Sequence, residues 1–286
     1  MNVLAEEEWQ ARESAHLTRM RRWTGPHTER RARGEKHPVL DFLFTYYSHK
    51  PSHLERWQPG AGVVLAGPSA RRFLDRRGFG EVEGGVALVD AELAAARAKT
   101  AGFLVKLLRA TASRPPRLSC FGLHEWAMVY RESAEQVRHA QVPLRLGSAG
   151  TDEVVETLGV RCGHFDAFRF FTEPARPRNE LQPTRATQID FEQPGCLHAN
   201  MDLFKAAYKL DPFVPAELMG DCFALAVEIR AFDMRASPYD LAGYGYQPVR
   251  IETPAGRAEY ARAQADFAQR AAPLRERLIS ICEELS

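Results

Sequence analysis

Short apolar runs bounded by glycine occur in one stretch of this chain, residues 61–90 (GVVLAG, GFGEVEGG, VALVD), while elsewhere apolar residues recur at helical spacing. A 3.6-residue period buries one stripe of a helix, whereas strands need alternation or short runs between turn residues. The contrast predicts a mostly α fold, a multi-helix single-domain bundle with a small β hairpin or short strands around residues 61–90.

Acidic residues early and basic residues late predict a helix over residues 4–22, as the helix dipole prefers. Residues 37–57 carry apolar and aromatic side chains at 39, 40, 42, 43, 46 and 47, a buried helix ended by Pro51 and QPGAG (58–62). Asp90 is placed to cap a helix to about residue 109, with Leu93, Phe103, Leu104, Leu107 and Leu108 on its buried side. SRPPR (113–117) breaks the pattern, and helices are expected over 122–140, from a Thr151 cap, over His198 to Leu210, from Pro215 to Met234, and over 256–286 with Pro273 as a kink. Pro174, Pro177, Pro183 and Pro194 make 161–195 mostly irregular, and long irregular segments of this kind are often functional.

The net charge of +1 excludes a wholly basic DNA coat, and 45% apolar with 26% charged residues excludes a disordered chain or a collagen-like fibre. The 38 basic residues are 32 Arg and 6 Lys. Arg makes forked contacts to phosphate and carboxylate, although a GC-rich coding sequence also favours it. From Arg19 to Lys36 seven basic residues face two acidic ones, and Gly25, Pro26 and Gly34 interrupt the stretch. That predicts a basic N-terminal helix and mobile arm over 1–36, then a single helical catalytic domain over 37–286. No secretory signal and no long apolar run occur, so no membrane partner is expected. The five cysteines form no CxxC pair and suit a reducing cytoplasm, each as a small buried hydrophobe.

Ionisable residues stand among apolar neighbours at His124 and Glu125, His164 and Asp166, His198 and Asp202, and Asp233 and Asp240. Such groups must be paired, bound to metal or shifted in pKa, which marks a candidate pocket. His198 and Asp202 share a helix face at i,i+4 and suit a proton relay or a metal. The metal set would be His124, Glu125, His164, His198, Asp202 and Asp233, with Asp221 and Glu228 as further carboxylates. Iron suits such mixed ligation, with manganese or zinc as alternatives, and the reaction would be oxidation or hydrolysis of a small molecule. His198-x3-Asp202 resembles part of the H-x3-D-x2-H run of haem-oxygenase-like di-iron oxidases, but Lys205 stands where that run has its second histidine. No dinucleotide fingerprint, P-loop or GxSxG elbow is present, and Ser237 in RASPYD is an isolated hydroxyl.

The strings HPVLDFLFTYYSHKP, LHEWAMVYR, PLRLGSAGTDEVVE, HFDAFRFFT, LQPTR, QPGCLHANMDLFKAAYKL and DMRASPYDL together resemble a bacterial, mostly actinobacterial family commonly labelled 3-methyladenine DNA glycosylases. The resemblance covers about residues 37–286 and implies DNA repair by N-glycosylase excision of alkylated purines, with no cofactor. The helix-hairpin-helix and zinc-binding patterns of other alkylbase glycosylases are missing from the sequence, so no catalytic residue is carried over. An alkylated adenine already leaves well, and the site then needs a carboxylate and a stacking pocket. Asp202, Asp233 or Glu125, with His198, would be catalytic. Trp126, Phe168, Phe170 and Tyr239 would hold the base. The basic arm and Arg169, Arg176, Arg178, Arg185 and Arg235 would meet DNA. A third class is a non-catalytic helical binding domain, in which the buried His and Asp matter only to stability.

Overall fold

A computed structural model describes residues 2–132 and 141–286. The chain is mostly helical, with a small four-stranded sheet. Among the described residues the helices are α1 (Glu6–Ala32), α2 (Asp41–Tyr46), α3 (Pro51–Leu54), α4 (Ala91–Ala112), α5 (Leu123–Ala127), α6 (Gly147–Leu158), α7 (Phe165–Phe168), α8 (Gln188–Phe191), α9 (Leu197–Lys209), α10 (Ala216–Arg235) and α11 (Pro254–Leu285). The strands are β1 (Asn2–Leu4), β2 (Val63–Leu65), β3 (Phe79–Val82) and β4 (Gly85–Leu88). No helix among the described residues is long and apolar enough to cross a membrane.

The chain falls into two compact units, one of residues 1–106, 203–224 and 274–286, the other of residues 107–202 and 225–273. In the first unit the sheet order is β1-β2-β4-β3, with β1 parallel to β2 and the other pairs antiparallel. Three of the four strands lie within 61–90, where glycine punctuation predicts them. β1 is an addition: Asn2 pairs with Val63 and Leu4 with Leu65, a strand whose partner lies far along the chain. The sheet packs on Trp9, Trp57 and Phe73, with Trp9 stacked on Trp57 at 6.3 Å and edge-on to Phe73 at 5.7 Å. The Trp9 indole donates to the Ala66 carbonyl (2.9 Å), so its polar atom is satisfied where the ring is buried.

The stretch expected as a mobile arm is instead continuous helix to Ala32, through Gly25 and Pro26. Tertiary partners outweigh the local breakers: Arg19 bonds Asp221 at 2.7 Å, Arg30 and His27 share Asp41, and Trp23 lies edge-on to Phe223. The helix expected over 37–57 is two short ones, α2 and α3, because Ser48 takes a left-handed φ of 51° and Pro51 opens α3. Asp90 does cap α4, its carboxylate accepting from the Leu93 amide at 2.8 Å.

In the second unit Arg145 grips Glu252 through two bonds of 2.7 and 2.9 Å. α6 begins at Gly147 rather than at a Thr151 cap; Thr151 lies inside it and donates back to the Gly147 carbonyl. The helix expected over 122–140 is the single turn α5, and residues 133–140 lie outside the described residues. Residues 161–195 are mostly irregular, with only α7, α8 and one 3-10 turn, as their prolines predict. α11 runs on through Pro273.

Candidate functional site

The site lies in the second unit and starts from a tight turn. Phe121 and Gly122 both take left-handed backbone conformations (φ 49° and 72°) immediately before α5. A Cβ on Gly122 would sit 3.1 Å from the Tyr260 ring and 3.3 Å from the Asp233 carboxylate, so glycine serves both the conformation and the close approach. A non-glycine residue such as Phe121 in that region is strained and is held there by its surroundings. The turn folds Cys120 back toward the first residues of α5. Trp126 fixes the other side of α5 by donating from its indole to the Ala236 carbonyl at 2.8 Å.

Cys120 Sγ lies 3.6 Å from His124 Nδ1. The other ring nitrogen, Nε2, donates to Asp233 Oδ2 at 2.7 Å, and the Tyr260 hydroxyl donates to Asp233 Oδ1 at 2.7 Å. An ionised carboxylate only accepts, so its contacts assign the proton to His124 Nε2. His198, from the first turn of α9, sets its ring 4.4 Å from that of His124, and His164 stacks on His198 at 5.2 Å. His164 Nε2 lies 3.5 Å from both Glu192 Oε1 and Asp202 Oδ2. Cys162 is clamped by Asn179, whose amide accepts from its backbone N–H and donates to its carbonyl, each at 2.8 Å. Cys120, Cys162, Cys196, His124, His198 and Tyr260 face a cavity of about 400 Å³.

The Cys162 thiol beside Cys120, and then His124, hold the Cys120 thiol well below its ordinary range although burial opposes this. Burial works against a charged His124, but the Asp233 carboxylate overrides it and raises His124 well above the usual histidine range. Asp233 is also buried, and the His124 charge outweighs that burial and draws it down to about 2. His198 is pushed well below the usual range, first by burial and then by the charges of His124 and His164. Cys162 is raised well above an ordinary thiol by its bond to Cys120 and by burial. The arrangement thus favours negative charge on Cys120 and Asp233 and positive charge on His124, and disfavours positive charge on His198.

Of the residues singled out in the sequence, His124, His164, His198, Asp202 and Asp233 come together in this nest. Glu125 does not join it: the carboxylate forms a buried ion pair with Arg230 at 2.6 Å. Asp221 pairs with Arg19 and Arg277, and Glu228 with Arg270, so neither joins it. Asp166 faces Arg169 at 3.4 Å. Asp240 caps the Ala242 amide, and the buried Ser237 hydroxyl bonds the Met234 carbonyl. Trp126, Phe168, Phe170 and Tyr239 do not line the cavity, and neither do Arg169, Arg185 or Arg235. Arg185 lies over the Phe165 ring, Arg169 over Phe170, and Arg235 bonds the Gln247 carbonyl.

His124, His198 and Asp233 also form a potential metal group, each offering one ligand atom within 4.8 Å of the others. Cys120, Tyr260 and Asn179 belong to this nest by their contacts and are not singled out by reading the sequence. The available signal was the spacing Cys120-x3-His124, which places a thiol and an imidazole a turn apart.

No family model matches the chain, and neither does any curated protein or solved structure.

Proposed function

We propose that this chain is a thiol-dependent hydrolase or transferase acting on a small acyl-type substrate. The supporting observation is the continuous line from Cys120 Sγ through both nitrogens of His124 to Asp233, at 3.6 and 2.7 Å, opening on the cavity. Nucleophile, base and orienting carboxylate in this order are the parts that covalent catalysis requires. The Cys120 thiolate attacks the substrate carbonyl carbon. His124 gives its Nδ1 proton to the leaving group as the bond to that group breaks. Water then attacks the thioester, His124 takes its proton, and the thiolate leaves. Arg117 lines the same cavity and supplies a cation for an anionic substrate group. The test is alkylation of the native chain with iodoacetamide. One rapid label should appear at Cys120, which is only partly buried, and should be absent from Cys120→Ser. Alkylation no faster than that of the denatured chain sinks the reading.

A second reading rests on the group of His124, His198 and Asp233. Two histidines and one carboxylate suit iron(II), or manganese or zinc, and a metal held there would activate oxygen or water. Elemental analysis decides it: less than about 0.1 metal per chain after loading removes it.

Base excision is a third reading and uses the same cavity. Glu192 supports it as a buried carboxylate in the cavity wall, where its Oε1 accepts from Gln188 at 2.6 Å and lies 3.5 Å from His164 Nε2. Release of free base from methylated DNA, lost in Glu192→Gln, is its test, and no release by the wild type removes it.

A further inference from the structure

The first unit contains a second cavity, of about 450 Å³, lined by Arg56, Arg76, Arg77 and Arg97. Only two carboxylates, Asp75 and Asp211, share its wall with these four guanidiniums. Among the described residues none of the four arginines forms an ion pair. That sets them apart from their neighbours: Arg72 pairs with Glu13, Arg71 with Glu81 at 2.9 Å, and Arg12 with Glu217 at 2.8 Å.

Two of the four, Arg76 and Arg97, are held by the fold, while Arg56 and Arg77 are exposed at the rim. Arg76 donates to the Trp57 carbonyl at 2.6 Å and lies over the Phe73 ring at 4.2 Å, which fixes its fork in place. Arg97 reaches the Asp211 carbonyl at 3.4 Å, but its Nε–H is buried with no acceptor. A buried charged donor without an acceptor is unfavourable, and so is crowding of like charges. Burial, and then Arg56 and Arg72, in fact lower the Arg76 guanidinium from its ordinary range. An anion in the cavity relieves both penalties at once. Guanidinium forks match the oxygens of a phosphoryl group two at a time. Phe79 and Leu93 give the same cavity an apolar wall, which suits a carbon group attached to that phosphate.

We propose that this cavity binds a phosphate-bearing small molecule. The site is separate from the Cys120 nest and stands whatever reaction that nest performs.

The test is calorimetric titration of the full chain at low ionic strength with inorganic phosphate, pyrophosphate and phenyl phosphate. Saturable binding is expected, weakening as salt is raised. The double variant Arg56→Gln, Arg77→Gln removes two exposed guanidiniums that anchor nothing else, so the fold is kept. It should weaken binding at least about tenfold, or 1.4 kcal/mol, while Cys120→Ser binds as the wild type does. Tighter binding of phenyl phosphate than of inorganic phosphate identifies an organic phosphoester as the ligand; equal or tighter binding of the inorganic ions identifies a free phosphate. No saturable binding of any probe up to about 10 mM, a range weaker than most specific affinities, overturns the proposal. Binding that is unchanged in the double variant overturns it too.

Discussion

His124 Nε2 donates to Asp233 Oδ2 across 2.7 Å, with only 3% and 1% of the two side chains exposed. This bond turns the opposite nitrogen, Nδ1, toward Cys120 and leaves a carboxylate behind the ring to stabilise its charge. Tyr260 bonds the other oxygen of Asp233 and prevents the carboxylate from rotating away.

Asp233→Asn keeps the shape of this chain but removes its charge. The amide oxygen still accepts from Nε2, so the ring stays oriented, yet the imidazolium is no longer stabilised. Alkylation of Cys120 at neutral pH should slow at least about tenfold, less than the roughly hundredfold low end of a full general-base contribution because the ring stays in place. Rates measured on the folded and the denatured variant check it, and an unchanged folded rate would show that Asp233 does not act through His124.

Arg230 and Glu125 form an ion pair almost closed to solvent, with side-chain exposures of 2% and 9%. Removing one partner leaves the other charge buried alone. Arg230→Met should cost about 3–5 kcal/mol. Adding Glu125→Leu to it should recover most of that loss, because the pair is then replaced by apolar groups. Urea denaturation of the two variants measures both values.

His49 makes stability depend on pH. Burial first, and then the charges of His53 and Arg56, lower it from 6.5 to about 4, with Asp211 opposing; the ring stacks on Tyr208 at 4.9 Å. Above pH 6.5 the residue is neutral in both the folded and the unfolded chain. Between 6.5 and 4 the unfolded chain binds a proton that the folded chain refuses, so stability falls as the pH falls through that window. The loss is at most about 3 kcal/mol, and His49→Phe should remove it. Denaturation midpoints at pH 7 and pH 4.5 for both chains are the measurement.

Gly85 opens β4 with a φ of 153°, and a Cβ there would lie 2.0 Å from the Leu65 carbonyl oxygen. The obstacle is backbone of the paired strand β2, which cannot swing aside as a side chain can. Gly85→Ala should destabilise by about 2–3 kcal/mol. A change under about 0.5 kcal/mol in urea denaturation would show that the sheet yields there.

The helical character of the chain and the strands of 61–90 were legible because each depends on local spacing, and the Asp90 cap because a cap is a contact within one turn. β1 was not: three residues carry no period, and their partners Val63 to Leu65 are remote in sequence. The helix through Gly25 and Pro26 was hidden for the same reason, since Asp41, Asp221 and Phe223 hold it in place. In the site, His124, His198 and Asp233 could be marked because ionisable groups in apolar contexts must find each other. Cys120 could not, since thiols are usually inert when buried and only the left-handed turn at Phe121 and Gly122 brings this one to an imidazole. Glu125 and Trp126 sit next to His124 in sequence but point to Arg230 and Ala236, which one-dimensional adjacency does not reveal.

The division of the chain into stretches 1–106, 203–224 and 274–286 on one side and 107–202 and 225–273 on the other has a consequence for biosynthesis. A ribosome delivers the chain from its N-terminus, and domains made of contiguous sequence can close as they emerge. Neither unit here is contiguous. Residue 273 must be translated before the second unit has all its parts, and the first waits for residues 274–286, although its sheet is finished by Leu88. For most of its synthesis the nascent chain therefore carries unfinished apolar surface, the condition in which chaperones bind.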